Sequence, residues 1–464
     1  MIPVLSLGTW VSLHGLITIL ALLLYTVTSH VMRQRRHPSA AIAWILFILL
    51  IPYIALPAYL MFGSRKLQRP ARLARLPVAL PAPQPWAVQT VVALDQPPPV
   101  AYTALAVHAD GAAARAALLE TIAGARRSLD VATFILAGDA FGDAVLERLC
   151  AKARDGVRVR LMVDGLGNLM GRRAALRRLA EAGGERRLFV PPFRSPLKGR
   201  TNLRNHRKLT IADAGTAAAR LWCGGRNLAQ EYFDGAPGTV PWRDLSFDLC
   251  GPLVAQAEAL FESDWAFTGR VPRPPAPPAV PPEAIDLDGA QLIASGPDQR
   301  DDTLYALLVT AAYRATQRIL LATPYFVPEA ALLTALCMAA RRGVAVDLLL
   351  PSRSNHRLSD FARNRALRTL ALAGGRVWLA PGMLHGKLVV VDDMLALAGS
   401  ANLDARSLFL NYELMVAFHA SADVQRFAAW FEQERAAASP YRAQRPGLVR
   451  DIAEGTLLWV GFQL

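Results

Sequence analysis

Two short patterns carry the chemistry of this chain. His206-Arg207-Lys208 is followed by Asp213, and His385-Gly386-Lys387 by Asp392, so both fit His-x-Lys-x4-Asp. Alternate side chains of a strand share a face, which sets each His beside its Lys. The mostly apolar residues after each Lys continue the strand, and the Asp ends it at a turn. Further on, Gly224-Gly225-Arg226-Asn227 pairs with Gly399-Ser400-Ala401-Asn402. Ser246-Phe247-Asp248-Leu249 pairs with Asn411-Tyr412-Glu413-Leu414. Each half thus supplies His, Lys, Asn and a late acid in the same order.

These residue types suit a phosphate diester. Two lysine ammoniums (Lys208, Lys387) and two asparagine amides (Asn227, Asn402) make a nest for its non-bridging oxygens and stabilise the charge of the transition state. Two imidazoles divide the labour, because histidine titrates near neutrality. One, neutral, attacks phosphorus. The other, protonated, gives a proton to the leaving alcohol and later takes one from the incoming nucleophile. Each imidazole needs its second nitrogen held, and Glu413 and Asp248 are the natural carboxylate partners. Asp213 and Asp392, at strand ends, suit direct participation and a structural turn or ion pair about equally. No metal or cofactor is expected, since an ammonium repels a cation and offers it no lone pair. The five lysines are Lys66, Lys152, Lys198, Lys208 and Lys387 among 51 basic residues. Arginine serves nearly everywhere else, so two lysines in one repeated motif stand out.

The elements that position these residues also repeat. Arg127 to Phe134 resembles Arg318 to Tyr325, and a helix follows each, with Cys150 and Cys337 at matching places. Gly156-Val157 and Gly343-Val344 then turn into apolar strands. Strand, helix, turn and strand make a βαβ unit, so the expected class is α/β: two tandem lobes of mixed, mostly parallel sheet flanked by helices. Residues 63–100 hold eight prolines, and residues 271–283 hold seven in 13 positions. The expected division is therefore a membrane hairpin at 1–64, a linker at 65–103, a first lobe at 104–270, a linker at 271–283 and a second lobe at 284–464.

The hairpin follows from hydropathy. The chain has 464 residues, 53% of them hydrophobic and 19% charged, which excludes a disordered chain. Its four cysteines exclude a disulfide scaffold. No charged residue falls between Ile2 and Ser29, nor between His37 and Ser64. About 20 apolar residues cross a bilayer as a helix, so spans are expected over about 4–29 and 39–62. Three arginines (Arg33, Arg35, Arg36) separate the spans, and five basic residues (Arg65, Lys66, Arg69, Arg72, Arg75) follow them. That balance favours the lobes on the cytoplasmic side. The net charge of +14 points to an anionic partner. Beside a membrane hairpin that partner is an anionic bilayer and its phospholipids rather than nucleic acid.

Together these features resemble the phospholipase D superfamily and, within it, the bacterial cardiolipin synthases. The paired motif carries the first resemblance. The second rests on Pro38 to Gly63, Trp242-Arg243-Asp244, Gly251-Pro252, Thr323 to Pro328, Gly399 to Ser407 and Leu410 to Glu413. The resemblance implies a two-lobed fold with its site at the lobe interface and a metal-independent, two-step phosphatidyl transfer. Phosphatidylglycerol would be donor and acceptor, giving glycerol, a phosphatidyl-histidine and then cardiolipin in the bacterial inner membrane. Family precedent makes His206 the nucleophile and His385 the general acid and base, a choice the internal symmetry does not settle. Ser400 stands where the first half has Gly225, so a hydroxyl contact to phosphate is expected in one half only. A hydrolytic phospholipase D, or a transferase with another donor or acceptor, would carry the same residues. Oligomeric state is not legible. Lesser candidates are His356, Arg353 and Arg357 for substrate contact, Tyr325 and Phe326 for the acyl path, and the apolar Thr456 to Leu464 for packing or membrane contact.

Overall fold

The computed structural model describes residues 7–31, 38–62, 85–168, 173–191, 202–235, 238–269, 280–299, 301–450 and 454–455. Arg33, Arg35, Arg36, Lys66, Lys198, most of both proline-rich stretches and Thr456 to Leu464 lie outside the described residues. The chain opens with three helices, α1 (Leu7–Val31), α2 (Pro38–Leu50) and α3 (Pro52–Phe62). The second expected span is thus two helices. Proline disfavours helix at the residue before it, and Ile51, just ahead of Pro52, is the break. Among the described residues no helix is long and apolar enough to cross a membrane. The three helices pack through Ala21, Tyr25, Ile48, Ala55 and Tyr59, with the Thr28 hydroxyl 2.8 Å from that of Tyr59. Leu16, Ile19, Leu23, Leu50 and Ile54 face outward, each more than half exposed. The stretch expected as a linker carries a fourth helix, α4 (Trp86–Ala93), whose Ala87 and Val91 join the core of the second lobe.

The first lobe holds strands β1 (Thr103–His108), β2 (Ser128–Thr133), β3 (Arg158–Asp164), β4 (Glu185–Phe189), β5 (Arg204–Asn205), β6 (Leu209–Ala212), β7 (Arg220–Gly224) and β8 (Ser246–Cys250). Helices α5 (Gly111–Gly124), α6 (Ala140–Arg154), α7 (Arg173–Glu181) and α8 (Leu253–Gly269) flank them. The second lobe holds β9 (Ala290–Ser295), β10 (Arg318–Ala322), β11 (Phe326–Val327), β12 (Ala345–Pro351), β13 (Arg376–Ala380), β14 (Leu388–Val391), β15 (Leu395–Gly399), β16 (Leu403–Asp404), β17 (Asn411–Phe418) and β18 (Ser439–Pro440). Its helices are α9 (Thr303–Arg314), α10 (Ala330–Arg341), α11 (Arg357–Leu372), α12 (Ala405–Phe409) and α13 (Ser421–Ala436).

The repeat is visible in the strand order. The first sheet runs β1-β8-β7-β6-β2-β3-β4, and the second follows the same path as β9-β17-β15-β14-β10-β12-β13. Cys150 and Cys337 are buried in equivalent helices, and Gly156 and Gly343 take positive φ values of 84° and 94° at equivalent turns. The two large sheets are mixed, and along the matching strand paths only β2-β3-β4 and β10-β12-β13 are parallel. The expectation of mostly parallel sheets is corrected here. Strands joined through helices run parallel, whereas β6-β7 and β14-β15 return by short turns, which imposes antiparallel pairing. A continuous apolar core lies between the lobes. It contains Phe247 and Leu249 of the first sheet, Leu414 and Phe418 of the second, and α8 and α13 side chains such as Phe261 and Phe427. That core fixes the lobes against each other where the two His-x-Lys motifs meet.

Candidate active site

The motif residues sit on the last residues before β6 and β14. Lys208 and Lys387 are each 1% exposed, and His385 is 4% exposed. The Lys208 ammonium donates to the His206 carbonyl at 2.7 Å. That of Lys387 donates to the His385 carbonyl and lies 2.8 Å from Nδ1 of the same ring. Phe134 packs edge-on against His206 at 5.2 Å, while Tyr232 and Trp242 enclose His385 at 5.1 and 5.7 Å.

Each imidazole is held by an acid of the opposite lobe. His206 Nδ1 lies 3.1 Å from Glu413 Oε1, and His385 Nδ1 lies 2.6 Å from Asp244 Oδ2. The backbone repeats the exchange. The His206 N–H donates to the Tyr412 carbonyl at 2.9 Å, and the His385 N–H to the Arg243 carbonyl at 2.6 Å. Those carbonyls belong to the residues just before Glu413 and Asp244. Short ladders secure both crossings, Tyr412 opposite Asn205 on β17 and β5, and Arg243 opposite Leu384.

Asp248, expected to hold one of the two imidazoles, is elsewhere. It pairs with His108 at 2.9 Å and with Arg220 at 2.6 Å, at the edge where β1 meets β8. The register explains the difference. Gly224 pairs with Ser246 and Gly399 with Met415, so the residue two before each partner, Asp244 or Glu413, occupies the equivalent place. Likeness between Ser246–Leu249 and Asn411–Leu414 sets the acids four residues out of step. The true partner was visible only as part of Trp242-Arg243-Asp244. The Gly225 and Ser400 difference fits these acids. A Cβ at Gly225 would lie 2.3 Å from Asp244 Oδ1, whereas Ser400 donates its hydroxyl to Glu413 Oε2 at 2.5 Å. Ser400 thus holds an acid.

Asp213 and Asp392 are also apart from the histidines, at the far ends of β6 and β14. Asp213 accepts backbone N–H groups of Arg126, Arg127 and Ser128, and Asp392 those of Thr316, Gln317 and Arg318. Both take left-handed φ, 51° and 49°. Their N–H donors outweigh burial and keep both carboxyls below the usual range. They clamp the starts of β2 and β10, in keeping with the structural one of the two readings that the sequence left open. Asn227 donates to the Tyr232 hydroxyl at 2.8 Å and accepts from the Ile135 N–H. Asn402 is 4% exposed beside Asp404. Arg207, between His206 and Lys208, was not singled out from the sequence. Fully buried, it donates Nε to the Glu413 carbonyl at 3.0 Å and pairs with Asp264 at 2.5 Å. His356 is exposed and packs edge-on against Tyr325, whose hydroxyl donates to Asn355, while Phe326 is core.

Electrostatics favour a neutral histidine facing cations. Burial and Lys387 push His385 down to about 3 against the pull of Asp244. Burial lowers His206 against the pull of Glu413. Burial also lowers Lys208 to about 8 and Lys387 to about 7. In Asp244 and Glu413 the paired histidines and lysines outweigh burial and keep the carboxyls ionised. An anion among these groups would offset the lysine charge and let His385 take a proton.

Two α/β lobes, each lending a His-Lys pair to one interface, define a phospholipase D-like protein. A family model described as "Cardiolipin synthase, PLD-like domain" matches residues 118–265 and 308–435, and one described as "Phospholipase_D-nuclease N-terminal" matches 19–64. Cardiolipin synthase A of Pseudomonas putida (strain W619) is 32% identical over 409 residues, 83% of this chain and 84% of that protein. Cardiolipin synthase A of Pseudomonas aeruginosa (strain LESB58) is 32% identical over 84% of this chain and 83% of that protein. The chain belongs to this PLD-like cardiolipin synthase family. Among solved structures, phosphatidylserine synthase of Haemophilus influenzae Rd KW20 superposes with a TM-score of 0.61 at 14% identity, over 82% of this chain and 100% of that one, a likeness of fold.

Proposed function

We propose that this protein is a membrane-associated phosphatidyltransferase that makes cardiolipin and glycerol from two phosphatidylglycerol molecules. The observation that carries the reading is the reciprocal pairing of His206 with Glu413 and His385 with Asp244 around two buried lysines. The His206 side chain is 14% exposed and that of His385 5%, which favours His206 as nucleophile. Neutral His206 attacks the phosphorus of the first lipid while His385 protonates the departing glycerol. Lys208 and Lys387 neutralise the non-bridging oxygens. His385 then takes the proton from a hydroxyl of the second lipid. That oxygen attacks the phosphatidyl-histidine, cardiolipin leaves, and His206 is regenerated.

The N-terminal helices support attachment to the bilayer. Ala21, Ala55, Tyr25 and Tyr59 face inward with Ile48, while Leu16, Ile19, Leu23, Leu50 and Ile54 face outward, the arrangement of helices packed in lipid. The finer reading is a multi-pass hairpin in the bacterial inner membrane with the lobes in the cytoplasm, supported by the arginine balance around it. The proposed units are 1–64, the connection 65–103, and lobes 104–270 and 284–464 joined by 271–283.

Purified full-length protein in detergent, given phosphatidylglycerol alone, is expected to yield cardiolipin and glycerol in equal amounts. Phosphatidic acid as the sole lipid product would make it a hydrolase instead. With His385→Ala the lipid adduct should accumulate on His206. An adduct on His385 in His206→Ala would reverse the roles.

A further inference from the structure

The two half-sites are alike in backbone and unlike in charge. Counting from the motif histidines, Arg204 occupies the place that Met383 occupies in the other half. Leu228 bridges Leu136 as Leu403 pairs with Phe326, which makes Glu231 the counterpart of Arg406. One side of the interface therefore has two guanidiniums where the other has a thioether and a carboxylate. Arg204 is 6% exposed, and Arg406, from the opposite lobe, is half-buried. Among the described residues both hydrogen bonds of Arg406 go to Asn202, its side-chain oxygen and its carbonyl, each at 3.1 Å. Burial and the nearby Arg204 hold Arg406 below its usual value.

Two carboxylates share this corner, and both anchor backbone. Asp164 accepts the N–H groups of Leu166 and Asn205, fixing the segment of Arg204. Its oxygen is 4.0 Å from Arg204 Nε. Asp404 caps α12, the helix that carries Arg406, through the Ser407 N–H at 2.7 Å. Both acids hold the segments that carry the guanidiniums, and Arg204 Nη1 also donates to the Leu203 carbonyl at 2.8 Å.

We propose that Arg204 and Arg406 form a second anion subsite, which takes the phosphodiester of the acceptor lipid while the reacting phosphate lies at Lys208 and Lys387. The proposal rests on the phosphatidyl-transfer reading. In the second step two phosphodiesters must stand one glycerol apart, because the product carries both on a single three-carbon bridge. Their repulsion needs charge beyond the two lysines. Guanidinium forks match phosphate oxygens. The pair sits on the His206 side, where the phosphatidyl-enzyme would await its acceptor.

The test uses full-length enzyme in mixed micelles with phosphatidylglycerol and labelled free glycerol. Cardiolipin formation needs the second phosphate, whereas exchange of labelled glycerol into phosphatidylglycerol does not. The ratio of the two rates is independent of how much enzyme is folded. Arg406→Gln should lower that ratio on the order of 10- to 100-fold, with a raised KM for lipid acceptor, by loss of a charge-assisted bond. Arg406→Lys should lower it less. An unchanged ratio in both variants, whatever the absolute rates, would overturn the subsite. Failure of the unaltered protein to make cardiolipin would instead overturn the transferase reading, before any variant is made.

Discussion

Asp244 Oδ2 lies 2.6 Å from His385 Nδ1 and comes from the other lobe. The pair mirrors Glu413 with His206, so both imidazoles are oriented by the same device. An acid held this way fixes the tautomer and orientation of its imidazole and stabilises the imidazolium.

Asp244→Asn should therefore lower turnover by roughly 10³–10⁴-fold, the scale of losing the carboxylate of a catalytic triad. Asp248→Asn should leave turnover within about threefold and lower the melting temperature, since it breaks the His108 and Arg220 contacts. Steady-state rates of the two folded variants separate the cases. A collapse of rate in Asp248→Asn with Asp244→Asn active would reinstate Asp248.

The pH profile carries a second expectation. His206 is lowered from 6.5, so the acid limb of kcat/KM should fall below that value, where the nucleophile becomes protonated. Rising pH strips the ammoniums of Lys387, at about 7, and then Lys208, at about 8, so the loss of phosphate binding that they cause should begin near the lower value. Bound phosphate favours the charged lysines, so the basic limb of kcat should lie higher than that of kcat/KM. Coincident limbs that stay flat to pH 10 would remove the lysines from phosphate binding.

Gly225→Ala should imitate Asp244→Asn. Its Cβ would come within 2.3 Å of Asp244 Oδ1, and the Gly225 N–H is held by the Leu245 carbonyl at 3.0 Å. Ser400→Ala removes one donor from Glu413 and should cost on the order of 10-fold in turnover, the scale of one hydrogen bond to a charged group. Comparable full activity in both variants would mean that neither acid needs its present seat.

Asp213→Asn and Asp392→Asn should each destabilise the fold by about 1–3 kcal/mol through weakened anchoring of buried backbone donors. Rates per folded molecule should stay within a few-fold. The folded pKa of each carboxyl lies below 3.8, so its contribution is complete above that value and lost as pH falls through the folded one. Urea unfolding at several pH values should show a shallower acid loss in the variants. An inactive but fully stable Asp213→Asn would return that residue to the chemistry.

The histidines and the lysines were legible because the duplication prints them twice at one spacing. The duplicated strand–helix–strand unit was legible for the same reason, though the sheet order around it was not. Asp244 was not, because its equivalence to Glu413 is set by the β7-β8 and β15-β17 pairing, a non-local register. The Asp of each motif misled in another way. Its fixed spacing reads as function, yet five residues beyond Lys on a strand it reaches the far end of the sheet. The second uncharged run reads as one span by hydropathy, and only the constraint that Pro52 places on Ile51 divides it.

The crossed hydrogen bonds have a consequence for inactivation. A slip of one residue along either short ladder, at Tyr412–Asn205 or Arg243–Leu384, would turn side chains to the opposite face. Each lobe guards the other's histidine, so parting the lobes disarms attack and proton delivery in a single event. The fold is an interlock with two keys: neither imidazole keeps its acid and its backbone carbonyl unless both lobes are engaged.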